Sequence, residues 1–212
     1  VQTCALPISL AALLTTRDHE VLRPRHHRPP LHREISEGLR WTLGEPMLRR
    51  IVATSGIANL STTLIFTLMP IFVLRTLGFS PARRGLLLTV MAVGGLLGAA
   101  STPKLAKRFG EARLIPLAAC GSALATVLVP LAVLLPSEMA FWLLAAQGMI
   151  ANFNALVYNI TQVTFRQRIT PADLLGRMNA SVRFFVWGVM PVAALLAGWV
   201  GSAIGTVPTL WI

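Results

Sequence analysis

Residues 139–165 read MAFWLLAAQGMIANFNALVYNITQVTF, 27 consecutive positions without a charged side chain. A helix rises about 1.5 Å per residue, so about 20 residues cross a hydrocarbon layer about 30 Å thick. This stretch can therefore span a bilayer once. It shows none of the strict alternation that a barrel strand needs. Four more uncharged windows flank it: 51–74, 85–103, 114–137 and 184–212, of 24, 19, 24 and 29 residues. The last is too long for one helix and too short for two. Gly201, Gly205 and Pro208 predict a turn there, after which a sixth span starts at about residue 205 and is cut short. Lipid offers no partner to open backbone groups, so each span must be a helix. The expected fold class is an all-α membrane protein: five spanning helices, at about 51–74, 85–103, 114–136, 140–165 and 182–201, plus a truncated sixth.

The composition agrees. Of 212 residues, 54% are hydrophobic and only 13% charged, with a net charge of +11, against a charged share of about a quarter in soluble domains. The positive charge sits in short clusters between the windows rather than over a folded surface, so nucleic acid is not an expected partner. Two cysteines, Cys4 and Cys120, cannot make a disulfide scaffold and have no metal-site spacing. No cofactor is expected: no nucleophile lies near a plausible triad partner, and GGLLGAA (residues 94–100) lacks the Lys and Ser/Thr of a phosphate loop.

Residues 1–8, VQTCALPI, resemble the translation of a sequencing adapter; the alternative is the end of a natural membrane helix running on into residues 9–14. Residues 9–50 are then the end of a preceding helix, a basic linker and an interfacial helix. The linker holds His19, His26, His27 and His32, either a metal site or a solvated basic segment, without a Cys or carboxylate at ligand spacing. Ile35, Leu39 and Leu43 recur at helical spacing, which predicts an amphipathic helix on the membrane surface with Trp41 as an anchor.

Lys and Arg set the orientation. With residues 17–50 inside, the cytoplasmic side collects 16 basic residues, from 17–50, 104–113 and 166–183; the outer side has only Arg75, Arg83 and Arg84. No function attaches to those three.

Polar residues inside the windows are the candidates for chemistry. On the fourth, Gln147, Asn154, Tyr158, Thr161 and Gln162 fall within about 100° of arc. On the first, Ser55, Asn59, Thr62, Thr63 and Thr67 form a similar strip. Lipid penalises such faces, so they turn to the bundle interior or an aqueous cavity. Two readings stay open: a substrate pathway (Asn59, Thr62, Thr63, Gln147, Asn154, Tyr158, Gln162) or interhelical hydrogen bonding. Gly94 with Gly98, Ala194 with Gly198, and Ala197 with Gly201 are small pairs that let helices approach closely. Asp173 and Arg177, four apart, would meet on a helix.

Four stretches carry a resemblance: EISEGLRWTLGEPMLRR (34–50), LGFSPARRGLLLTVMAVGGLLGA (77–99), PKLAKRFGEAR (103–113) and, most specific, RQRITPADLLGRMNASVRF (166–184). Over about residues 33–212 the chain resembles the C-terminal half of a major facilitator superfamily transporter, in the branch of bacterial siderophore and macrolide exporters. The resemblance implies half of a twelve-helix fold, with an N-terminal six-helix half as partner. It implies a secondary transporter in a bacterial plasma membrane, with no enzymatic activity, exporting a small apolar or amphipathic molecule by alternating access about a midplane site. The third stretch departs from the superfamily's loop motif: Lys107 stands at its acidic position and Pro103 at its first Gly. Lys107 and Arg108 are thus either gating residues or topology-setting charges. The resemblance also makes Asp173, Arg177 and Arg183 candidates for an inward-side latch; the alternative is a surface pair among positive-inside arginines. No Asp or Glu lies in any window, so if protons drive transport their carboxylate belongs to the other half. Rival classes are the membrane subunit of a nucleotide-driven pump and a non-transporting scaffold or sensor.

Overall fold

The computed structural model describes residues 31–211, all of whose regular structure is helical. The adapter-like stretch and most of the basic linker, with His19, His26 and His27, lie outside the described residues. Glu34–Ile212 forms one compact unit. Helix α1 (Leu31–Gly44) is followed by α2 (Pro46–Ile71), which continues as a π-helical turn over Phe72–Thr76. Next come α3 (Pro81–Phe109) and α4 (Glu111–Thr126), extended by the short α5 (Leu128–Leu131) and a 3-10 turn, Ala132–Leu134. Then follow α6 (Ser137–Ile169), α7 (Leu175–Ile204) and the single-turn α8 (Thr206–Thr209).

Five of these units are long and apolar enough to cross a membrane: Pro46–Thr76, Pro81–Phe109, Glu111–Leu134, Ser137–Ile169 and Leu175–Ile204. Four enclose their expected span and run beyond it. The third stops at Leu134, because Leu135 is extended and Pro136 leads into the next helix. The overruns are set by capping chemistry. The Ser80 hydroxyl accepts from the Arg83 amide at 3.3 Å, and Pro81, which has no N–H to orphan, opens α3. Gly110, at φ 76°, ends α3 and starts α4 in one residue, a conformation costly for any side chain with a Cβ. Gly205, at φ 90°, ends α7 and precedes α8, which begins where a sixth span was expected.

Four of the five spanning units carry an internal proline: Pro70, Pro103, Pro116 and Pro191. Soon after Pro70 the chain widens to a π turn, closed by Leu77 N–H donating to the Phe72 carbonyl at 3.0 Å. Helix α6 has none and is the unbroken rod of the bundle. It packs against α3 and α4, while α2 packs against α7. It is also the most buried span, with 39% of its most apolar stretch inside against 11% for α7. Leu96, Leu124, Trp142, Leu195 and Trp199 stay exposed, as lipid-facing residues should.

Three apolar clusters tie these groups together. At one end of the bundle, Phe72 and Val73 pack with Phe79, Leu87, Val129, Phe141 and Leu144. Toward the opposite end, Ile51 joins Leu114, Ile115 and Ala118 to Val157 and Tyr158. Leu48 and Val52 meet Met178 and Val182, with half-buried Trp41 against them. Trp41 therefore corrects the expectation of a lipid anchor: its ring faces protein, while Ile35 and Leu43 keep the exposed face of α1.

The small pairs divide. A Cβ on Gly94 would strike the Met149 carbonyl, and one on Gly98 the Phe153 carbonyl, so these glycines let α3 lie against the α6 backbone. Ala197 is fully buried and a Cβ on Gly201 would come 2.9 Å from the Leu68 side chain, on the α2–α7 seam. Gly198 has open space around it, so the Ala194/Gly198 pair mediates no contact among the described residues.

Candidate functional site

The polar face of α6 is buried within the bundle. Gln147, Tyr158, Thr161 and Gln162 are each buried, and Asn154 is half-buried. Their hydrogen bonds fall into two kinds. Asn154 Nδ2 donates to the Ile150 carbonyl at 2.9 Å, and Thr161 Oγ1 to Val157 at 2.7 Å, each satisfying itself on its own helix. Tyr158 reaches outward: its hydroxyl lies 2.7 Å from the Ser55 hydroxyl of α2 in a buried bond. Asn59, one turn further along α2, donates Nδ2 to the Ser55 carbonyl at 2.9 Å. Ser55 and Tyr158 thus form a polar node between α2 and α6, while the Asn59 bond stays on its own helix.

The other candidates sit apart from that node. Thr62 is exposed, and Thr63 is half-exposed with its carbonyl accepting from Thr67 Oγ1 at 2.7 Å. Asn154 lies over Gly121 of α4, where a Cβ would come 2.6 Å from its Oδ1. The Oε1 atoms of Gln147 and Gln162 are sealed from solvent without a hydrogen-bond partner, which is uncommon for buried amides.

The loop candidates separate as well. Helix α7 starts only at Leu175, so Asp173 stands in the preceding turn and the spacing of four cannot bring it to Arg177. Arg177 instead bonds Glu37 at 2.5 Å and Glu34 at 3.0 Å, fastening α1 to α7. Gly38 makes that approach possible, since a Cβ there would sit 2.8 Å from the Arg177 carbonyl. Arg183 lies over the Trp187 ring at 5.5 Å and Arg108 over Phe109 at 5.5 Å. Lys107 lines a groove of about 500 Å³ with Thr102, Ala106, Glu111, Thr161 and Arg168. Arg168 pairs with Glu111 across that groove, tying α6 to α4. Among the described residues no group of three or more His, Cys, Asp or Glu could hold a metal ion.

Two features escaped the sequence reading. Arg83, set aside as a stray outer charge, pairs with Glu138, donates to Ser137 Oγ at 3.3 Å and lies 5.6 Å from both the Phe79 and Phe141 rings. It clasps the N-terminal ends of α3 and α6. Its only sequence signal was that Glu138 is the lone carboxylate among the outer loops. The second is Arg166, one turn beyond Gln162 on the same α6 face and half-buried. The regular spacing Asn154, Tyr158, Gln162, Arg166 was visible in the sequence, but a basic residue at a helix end reads first as a topology signal.

No curated protein and no solved structure shows a significant match. The chain does match a family described as transmembrane secretion effector, over residues 2–212, a match that begins inside the adapter-like stretch. Five apolar spans, a tightly packed α3–α6 seam and a family match along almost the whole length agree: the chain belongs to the transmembrane secretion effector family of the major facilitator superfamily, and is a multi-pass membrane transporter.

Proposed function

We propose that this chain is the C-terminal half of a secondary active exporter that moves a small apolar or amphipathic molecule by alternating access, without enzymatic chemistry. It rocks against an N-terminal six-helix half in a bacterial inner membrane, with residues 17–50 cytoplasmic and the substrate at the midplane. If protons drive it, their carboxylate belongs to the other half, since the uncharged windows contain none.

The observation that supports this best is the buried Ser55–Tyr158 bond, with Asn59 beside it. An amide and a phenol one turn from further polar groups can orient a ligand while the tyrosine ring gives it apolar contact. The test is transport by the full-length protein carrying Asn154→Ala or Tyr158→Phe, over several candidate substrates. A pathway role changes rates or substrate ranking while expression stays near normal. Unaltered rates and ranking in both variants would leave packing as the role of this face.

A further inference from the structure

The groove beside Lys107 begins where the close α3–α6 seam ends. Gly94 and Gly98 set α3 directly on the α6 backbone, and past them Pro103 lacks the N–H that would continue the helical ladder. Gly110 then turns the chain into α4 within one residue, and the gap that remains is lined by α3, the start of α4 and α6. It holds about 500 Å³ and follows α6 from Ile160 to Arg168, about 12 Å of helix. Its two ends differ. Ile160, Thr164 and Thr102 fall inside the uncharged windows, at hydrocarbon depth, whereas Lys107, Glu111 and Arg168 lie just beyond them. The threonine hydroxyls are spent on their own helices: Thr102 donates to Gly98 at 2.7 Å, Thr161 to Val157 at 2.7 Å and Thr164 to Ile160 at 3.0 Å. The apolar end therefore offers a ligand no hydroxyl donor. At the charged end, Arg168 is paired with Glu111, whose second oxygen, Oε2, is sealed from solvent. The Lys107 ammonium has neither an ion pair nor a hydrogen bond among the described residues, so the surplus charge of this end is positive. A groove that is apolar where the spans lie in hydrocarbon and cationic where they leave it complements a phospholipid with a negative headgroup. With Glu111 taken, nothing in the groove would hold the ammonium of a zwitterionic lipid.

We propose that this groove binds one anionic phospholipid from the leaflet at its end of the bundle, with the phosphate on Lys107 and an acyl chain along Ile160 and Thr164 of α6. The site goes beyond the transport reading and does not depend on it, since it needs only a membrane-spanning bundle.

The test is native mass spectrometry of the full-length protein in detergent, titrated with phosphatidylglycerol and phosphatidylcholine of identical acyl chains. One phosphatidylglycerol should be retained about 5-fold more tightly than phosphatidylcholine, the ratio for one basic side chain beside anionic lipid. Lys107→Gln should abolish that preference and Lys107→Arg should keep it. Lys107 is exposed, so both variants should fold normally. Arg113→Gln, which removes an exposed cation outside the groove, should leave the preference intact. Thr164→Trp fills the apolar end without altering charge, at an exposed position, and should release the retained lipid. Equal retention of the two lipids by the unmodified protein would overturn the proposal. So would equal losses from Lys107→Gln and Arg113→Gln, which would reduce the effect to diffuse surface charge. An unaltered preference in Lys107→Gln, or unaltered retention in Thr164→Trp, would overturn it too, and would leave the groove to another occupant such as the N-terminal half. Displacement of phosphatidylglycerol by millimolar glycerol 3-phosphate would make this a soluble-anion site and not a lipid site.

Discussion

At the scale of single residues, the decisive positions are those where a side chain would be an intrusion. The Gly94 and Gly98 carbons face backbone carbonyls of α6, which cannot swing aside as a flexible side chain would. Gly94→Ala or Gly98→Ala should therefore push α3 from α6 and cost about 1–3 kcal/mol, the usual range for overpacking. Gly198→Ala, in open space, should change stability by less than about 0.5 kcal/mol. Thermal unfolding of the purified variants in one detergent checks both. Equal losses at Gly98 and Gly198 would mean that the α3–α6 seam is not where the bundle is tight. Gln147 argues in the opposite direction. Its buried Oε1 has no partner, so Gln147→Leu removes an unsatisfied acceptor at similar volume and should raise stability by about 1 kcal/mol. If that gain comes with slower transport by the full-length protein, the amide is kept for ligand contact rather than for folding. A loss of stability would instead reveal a partner for Gln147.

At the scale of elements, the windows were legible because lipid leaves a 27-residue uncharged stretch no option but helix. The contacts at their ends were not. Asp173 and Arg177 have helical spacing, yet the chain between Pro171 and Leu174 turns first, with Leu174 N–H donating to the Pro171 carbonyl at 3.0 Å. Spacing predicts a contact only once the register of the helix is known, and proline moved its start. Likewise the α6 polar face was readable, but not that Tyr158 would choose Ser55, since that bond joins residues 103 apart in the chain. The pairing that replaced Asp173–Arg177 fastens α1 to α7 through Glu34 and Glu37, all three side chains being half-exposed. A double-mutant cycle of Arg177→Ala with Glu34→Gln should return a coupling of no more than about 1 kcal/mol, falling as salt is raised. Gly38→Leu should do more than either, because it collides with the Arg177 carbonyl and dislodges the whole helix. The readout is faster proteolysis within residues 31–44 while α2–α7 stay protected. Unchanged proteolysis would mean that the Arg177 contacts do not hold α1 in place.

At the scale of the molecule, the packing shows which loops share an end of the bundle, and the charges alone propose which end faces the cytoplasm. The side that the charges assign as outer holds only three arginines, and one of them, Arg83, is held in a clasp with Glu138, Ser137 and two phenylalanine rings. An apolar cluster that includes Phe72, Val129 and Phe141 closes the same end, with Val207 and Leu210 packed against it. At the other end, the pairs Arg168–Glu111 and Arg177–Glu34 tie together three segments that the positive-inside rule assigns to one side. An odd number of spans separates the two sets, so a single labelled position inverts the whole arrangement if it is wrong. Single cysteines at Arg40, Arg113 and Ala172, all exposed, should react with a membrane-impermeant maleimide only after intact cells are permeabilised. A cysteine at Ser80, exposed at the opposite end, should react before permeabilisation. Cys4 and Cys120 must first be replaced, the latter because it is exposed. Thr170 is a poor reporter although it lies in the same loop as Ala172, because it is buried and donates to the Arg166 carbonyl at 2.7 Å. Efficient labelling at Ala172 in intact cells, with protection at Ser80, would reverse the orientation that the charges assign.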